Sequence, residues 1–285
     1  MLDPLATQRD HDYRYGGEWR TDMSLQNKNA IVYGAGGAVG GAVARAFARD
    51  GARVFLTGRD KGVLDALAKE IAAAGGAAET ARIDAMDQTA VAGHLDNVVD
   101  TAGTVDISFN AIGIAQRGIQ GIPLTELSVE SFALPIATYP GAHFITARTA
   151  ARHMIKQRSG VILMHTPEPA RLGVPLTGGM TPAWAALEGL NRMFSAEWAP
   201  YGVRTVCLRT TGIEETATID TVFGLHADAY GISREQFASA VLNTSHTKRA
   251  TTLAELADVA AFVASDRAAA LTGTVVNLTG GVIVD

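Results

Sequence analysis

Tyr33-Gly-Ala-Gly-Gly-Ala-Val-Gly40 sets four glycines within seven residues, directly after a short apolar run and directly before a stretch of small residues. A main chain that must approach a pyrophosphate needs this composition. Gly34 permits the tight turn, Gly36 and Gly37 let the backbone come close, and Gly40 lets the following helix pack on the strand. Val39 falls in the first turn of that helix, whose N-terminal amides would face the phosphates. A structural turn without a ligand is the other reading. About twenty residues on, Gly58-Arg59-Asp60 ends the next apolar run. An acidic residue ending that run would hold ribose hydroxyls; Arg59 instead suits the 2′-phosphate of NADP by charge and fork geometry. NADP(H) is therefore expected in preference to NAD(H), unless Arg59 is a solvated loop charge. Asp60 reads as a helix cap. Asp84 ends a third run, where a carboxylate either accepts from an adenine amino group or is simply solvated.

The second chemical feature is an absence. Between Gln157 and Pro200 there is no tyrosine and no lysine, so this segment offers neither a phenol nor an ammonium. The seven histidines have no paired ligand spacing, and no metal site is expected. Cys207 stands alone in a strand-like run and reads as core.

These groups need a scaffold, and 285 residues suffice for one large α/β domain. Net charge is −5, which leaves no basic footprint for nucleic acid. The start, Met1-Leu-Asp-Pro, lacks the apolar region of a signal peptide. The uncharged stretch Ala268 to Val284 is broken by Thr, Asn and Gly and reads as strand and turn, not membrane span. With a single cysteine, a reducing, cytoplasmic location is expected.

Residues 1–27 read as a tail, whose Tyr13, Tyr15 and Trp19 either pack on a neighbouring subunit or remain loose. From Lys28 strands and helices alternate. Strands are expected at about 29–33, 53–57, 78–83, 105–109, 161–164, 203–208 and 274–278. Helices fall between them, the longest at about 128–156 with Pro135 and Pro140 interrupting its first half. Others are expected at 182–198 and 253–264. Strands joined by crossover helices form a parallel sheet covered on both faces.

In this order the motifs resemble the short-chain dehydrogenase/reductase family over residues 28–285. The glycine segment is similar to its T-G-x-x-x-G-x-G, with Tyr33 in the Thr place. Asp84-Ala-Met-Asp87 resembles its D-V-T-D turn. Val105-Asp-Ile-Ser-Phe-Asn-Ala-Ile-Gly113 resembles its V-D-x-L-V-N-N-A-G strand, Asn110 matching the first Asn and Gly113 the closing Gly. Ala185-Ala-Leu-Glu-Gly-Leu190, Ala199-Pro-Tyr-Gly-Val-Arg204 and Leu271-Thr-Gly with Thr279-Gly-Gly281 follow in register. The resemblance implies a single Rossmann-like, doubly wound domain with a seven-stranded parallel sheet in the order 3-2-1-4-5-6-7. It also implies an NAD(P) cleft at the C-terminal strand ends and a homodimer or homotetramer.

It further implies an Asn-Ser-Tyr-Lys active site, and here the chain departs from the pattern. Those four places fall on Thr138, Pro167, Met180 and Trp184. A thioether donates no proton, and an indole carries no cation; the bulk of Trp184 either packs against the nicotinamide or occludes it. The proline-glycine turn after the sixth strand reads Thr210-Thr211. His165 lies two residues before Pro167, on the same side of its strand, and is the substitute general acid unless it is an ordinary core or surface histidine. Tyr139, Thr166 and Glu168 are weaker substitutes. Residues 213–246 occupy the place of a substrate lid, where Val222, Phe223, Leu225, Tyr230 and Phe237 either line an apolar pocket or cover the sheet.

Three functions are compatible with this reading. One is an NADP-dependent oxidoreductase with a relocated acid, acting on an unidentified small molecule. Another is a catalytically silent nucleotide sensor, or the partner subunit of an active homologue. The last is a cofactor-independent lyase or isomerase using the same cleft, which would leave the glycine turn and Arg59 without a role.

Overall fold

Alternation along the first strand, β1 (Asn29–Tyr33), builds two cores at once. Ala30 and Val32 point to one face of the sheet, Ile31 and Tyr33 to the other, and all are buried. The computed structural model describes residues 24–284. Its remaining strands are β2 (Arg53–Gly58), β3 (Ala77–Arg82), β4 (Ile107–Asn110), β5 (Gly160–Pro167), β6 (Val203–Thr210) and β7 (Val275–Leu278). All pairings are parallel, in the order β3-β2-β1-β4-β5-β6-β7, as the family resemblance implied.

One face is covered by α1 (Ala38–Arg49), α2 (Lys61–Ala73) and, later in the chain, residues 253–264. There Val43, Phe47, Leu64, Leu67 and Leu256 close on Val32, Leu56 and Leu163. The other face is covered by α3 (Gln88–Ala102), α4 (Val129–Gln157) and α5 (Met180–Trp198), through Val91, Leu95, Ala147, Met154 and Phe194. Asp60 does cap α2, accepting from the Gly62 and Val63 amides.

Four departures from the sequence reading bear on the site. First, β5 and β6 run on to Pro167 and Thr210, past polar residues that hide the strand pattern. Those residues are paired across the tertiary structure: Arg209 holds Glu188 of α5 in a two-pronged ion pair at 2.8 and 2.7 Å, and Thr166 also reaches Glu188. Second, α4 is continuous through Pro135 and Pro140. Each proline deletes one N–H from a 29-residue helix, and the rest of its ladder persists. Pro135 is buried where α4 touches Gly179 just before α5; a Cβ on Gly179 would sit 1.9 Å from the Phe132 carbonyl oxygen. Third, the lid contains two helices, α6 (Ala217–Tyr230) and α7 (Arg234–Leu242), before α8 (Leu253–Ala264). Fourth, Leu25, read as tail, is fully buried and its amide donates to the Asp50 carbonyl. Tyr13, Tyr15 and Trp19 lie outside the described residues. Among the described residues no helix is long and apolar enough to cross a membrane.

Candidate active site

At the C-terminal ends of β1, β4, β5 and β6 a cavity of about 280 Å³ runs from the glycine turn to the lid. Its floor is the turn itself. Gly34 takes a left-handed φ of 72°, and a Cβ there would lie 2.7 Å from the Ala111 carbonyl oxygen. Gly40 is tighter still, with a Cβ meeting the Gly34 oxygen at 2.3 Å. These two glycines shape the turn and do not line the cavity; Gly37, Ala38 and Val39 do. Gly37 is the N-cap of α1 and brings no side chain to its amides, and Gly36 is exposed beside Val63. The start of α1 is therefore open to an anion.

Asn110, at the end of β4, is buried. Its amide donates to Thr146 at 3.0 Å and accepts from the Ile112 amide at 3.1 Å, which holds the Ala111–Ile114 loop along the cavity wall. Gly113 lines that wall with nothing within 4 Å of where its Cβ would stand. Arg59 and Asp84 lie outside the cavity, at the ends of β2 and β3. Asp84 accepts from the Met86 amide. Beside Arg59 is a guanidinium that the sequence reading missed: Arg82 donates through Nε to the Arg59 carbonyl at 3.1 Å. Its signal was available, since the 3-2-1 order pairs Arg82 with Gly58.

The opposite end of the cavity is where the sequence reading changes most. Of the four places assigned by resemblance, Pro167 and Trp184 line the cavity, whereas Thr138 and Met180 do not. Thr138 donates to the Leu134 carbonyl within α4. Met180 is fully buried among Ile119, Ala183 and Leu187. Thr166 faces away, toward Glu188, because it alternates with His165 and Pro167 along β5. His165 does line the cavity, with Nε2 2.9 Å from the Thr210 hydroxyl. Burial, reinforced by the neighbouring His143, pushes its pKa down to about 4. Near neutral pH it therefore carries no imidazolium proton, which favours the ordinary buried histidine over the substitute acid. His143, likewise a cavity residue, is pushed down to about 4 by burial.

Tyr139 reaches the cavity from α4. Its ring centroid stands 6.4 Å from that of Trp184, and its hydroxyl is hydrogen-bonded to the Ile114 backbone and the Gln116 side chain. A polar strip continues from there: Gln120 donates to Gln116 at 2.6 Å, and its own amide oxygen lies 3.1 Å from His226 Nε2 on α6. The facing wall is apolar. Val222, Phe223 and Phe237 line it as a lid would, while Leu225 does not and Tyr230 is exposed, stacked on the outside of Phe237.

Glu168, ranked low from sequence, follows Pro167 directly. It lines the cavity, its Oε2 is buried without a hydrogen-bond partner among the described residues, and the Gly212 amide donates to its carboxyl. Burial raises its pKa to about 7, against the pull of Gly212 and its own amide. Cys207 is core, its thiol pushed up to about 12 by burial. Among the described residues no three His, Cys, Asp or Glu groups gather as a metal site would require.

A seven-stranded 3-2-1-4-5-6-7 sheet with a glycine turn opening its first helix defines a Rossmann-like nucleotide-binding class. The family model described as enoyl-(acyl carrier protein) reductase matches residues 34–283, and the chain belongs to this family of short-chain dehydrogenases/reductases. It is 30% identical over 268 residues to L-rhamnose 1-dehydrogenase (NAD(P)(+)) of Azotobacter vinelandii, covering 92% of this chain and 99% of the relative. Among solved structures, NAD+-bound xylitol dehydrogenase superposes with a TM-score of 0.85 at 23% identity, over 90% of this chain and 99% of the other. A putative NAD(P)-dependent gluconate 5-dehydrogenase from Beutenbergia cavernae with bound NADP gives 0.80 at 29% identity, over 92% and 98%.

Proposed function

We propose that this chain is an NADP(H)-dependent oxidoreductase that reduces an uncharged, largely apolar carbonyl compound without the family's tyrosine and lysine. The observation that carries this reading is the continuity of one cavity from the uncapped start of α1 to the apolar lid. The residues present fit a dinucleotide. The side-chain-free N-cap at Gly37 leaves amides for a pyrophosphate, and Gly113 leaves its stretch of wall open. Arg59 and Arg82, together at the ends of β2 and β3, suit a 2′-phosphate. Asp84 is left for the adenine side.

When bound, NADPH supplies a hydride at its nicotinamide ring. The chain's own part is to hold the carbonyl compound against that ring, to exclude water with α6 and α7, and to supply a proton. Trp184, which the resemblance sets in the place of the family's lysine, lines the cavity and would meet a bound ribose with an indole in place of an ammonium. Among the described residues no Lys or Arg lines the cavity wall, so a sugar acid such as gluconate finds no counter-charge there.

Fluorescence titration with NADPH, followed by single-turnover oxidation of bound NADPH across a panel of carbonyls, tests the reading. Tight binding with turnover of apolar ketones or aldehydes is expected. Binding without turnover is the signature of a silent sensor or partner subunit, and no binding at millimolar nucleotide that of a cofactor-independent lyase or isomerase.

A further inference from the structure

We propose that Glu168 is the proton donor of this cavity: the residue directly follows Pro167, lines the cavity at the ends of β5 and β6, and keeps Oε2 buried with no partner among the described residues. The proposal rests on the oxidoreductase reading above.

A buried carboxyl oxygen without a partner is costly unless a ligand completes it. The other candidates have no proton to give or are held. His165 is bound to Thr210 and uncharged at neutral pH. His143 is held at Nδ1 by the Tyr139 carbonyl and is likewise uncharged, so its unpartnered Nε2 is an acceptor. The Tyr139 oxygen is held by Ile114 and Gln116. Met180, at the family's tyrosine place, does not reach the cavity.

The titratable groups around Glu168 come from several elements. Tyr139 and His143 face the cavity from α4, His165 from β5 and His226 from α6. Glu214 and Glu215 lie on the loop after β6, the latter bound to the Leu253 amide. Arg171, at the end of the short turn carrying Glu168, is exposed. Among the described residues no cation lines the cavity to draw the proton off, and burial leaves about half the carboxyls protonated near pH 7.

In the reducing direction, hydride arrives at the carbonyl carbon, the C=O π bond opens, and Glu168 gives its proton to the oxygen to complete the hydroxyl. The resulting carboxylate takes a proton back from water. In the oxidising direction the carboxylate accepts the hydroxyl proton, so the two directions depend on opposite ionisation states.

The test compares wild type, Glu168→Gln and Glu168→Asp. Difference infrared spectra between pH 5 and pH 9 should contain a protonated-carboxyl band that titrates near 7 and is missing from Glu168→Gln. NADPH affinity should stay within about twofold. The reduction kcat should fall by roughly 10²-fold or more in Glu168→Gln, with partial recovery in Glu168→Asp. In wild type, reduction should decline above pH 7 while oxidation rises. An unaltered kcat or pH profile in Glu168→Gln overturns the proposal, as does loss of the same infrared band on replacing any other acid. Wild type that binds NADPH but turns over no carbonyl also overturns the donor role, whereas failure to bind NADPH overturns the oxidoreductase reading itself.

Discussion

The buried groups of the cavity should write opposite slopes into the stability of the fold, and Glu168→Gln isolates one of them. A glutamate carboxyl starts from 4.5 and is raised to about 7 in the folded chain. Between those values the native state binds more protons than the unfolded one, so stability falls as pH rises. At 1.36 kcal/mol per pKa unit the penalty approaches about 3 kcal/mol by pH 8 and vanishes near pH 4. Glutamine keeps the shape and the acceptor for the Gly212 amide but carries no ionisation. The variant should therefore match wild type at pH 4.5 and exceed it by about 1–3 kcal/mol at pH 8. His143 and His165 run the other way. Each is lowered from 6.5 to about 4, so the stability gained by keeping them neutral is complete above pH 6.5 and lost as pH falls toward 4. Wild type should be most stable where the two limbs cancel, near pH 7. Urea unfolding at half-unit steps from pH 4.5 to 8 measures this. A Glu168→Gln difference that stays constant across that range would refute the argument that burial raises the carboxyl.

Replacing both Arg59 and Arg82 by alanine should weaken NADPH binding by about tenfold or more and leave NADH binding within about threefold, read by fluorescence titration. Gly40→Ala places a methyl 2.3 Å from the Gly34 oxygen and should abolish dinucleotide binding or the fold, separated by calorimetry and circular dichroism. Glu188→Gln leaves Arg209 without its carboxylate between β6 and α5 and should cost about 3–5 kcal/mol in urea unfolding; Glu188→Leu with Arg209→Met should cost distinctly less. Restoring the family residues by Met180→Tyr with Trp184→Lys should not raise carbonyl turnover, because position 180 is sealed in the core; overpacking there should cost about 1–3 kcal/mol.

Much of the scaffold was legible because its signals are local. β1 and β2 are built on the apolar runs Ala30–Tyr33 and Val54–Leu56, Asp60 announces the start of α2, and Gly34 and Gly40 mark a turn whose φ and close contacts only glycine tolerates. The lengths of β5 and β6 were not legible. Thr166 and Arg209 read as strand ends until Glu188, about twenty residues away along the chain, is brought beside them. The prolines of α4 failed as signals for the same kind of reason: packing at Gly179 preserves the helix that Pro135 alone would interrupt.

The sequence by itself determined the glycine turn that opens α1 and the loss of tyrosine and lysine from residues 157–200, since both are statements about residue type at fixed positions. Only the tertiary structure decided which side chains inherit the rest of the site. Alternation on β5 sends Thr166 away from the cavity and His165 into it. Burial then lowers the pKa of His165 and raises that of Glu168 toward neutrality. Desolvation depends on what surrounds a group in space, and the chain order of Pro167, Glu168 and Gly212 does not contain that information.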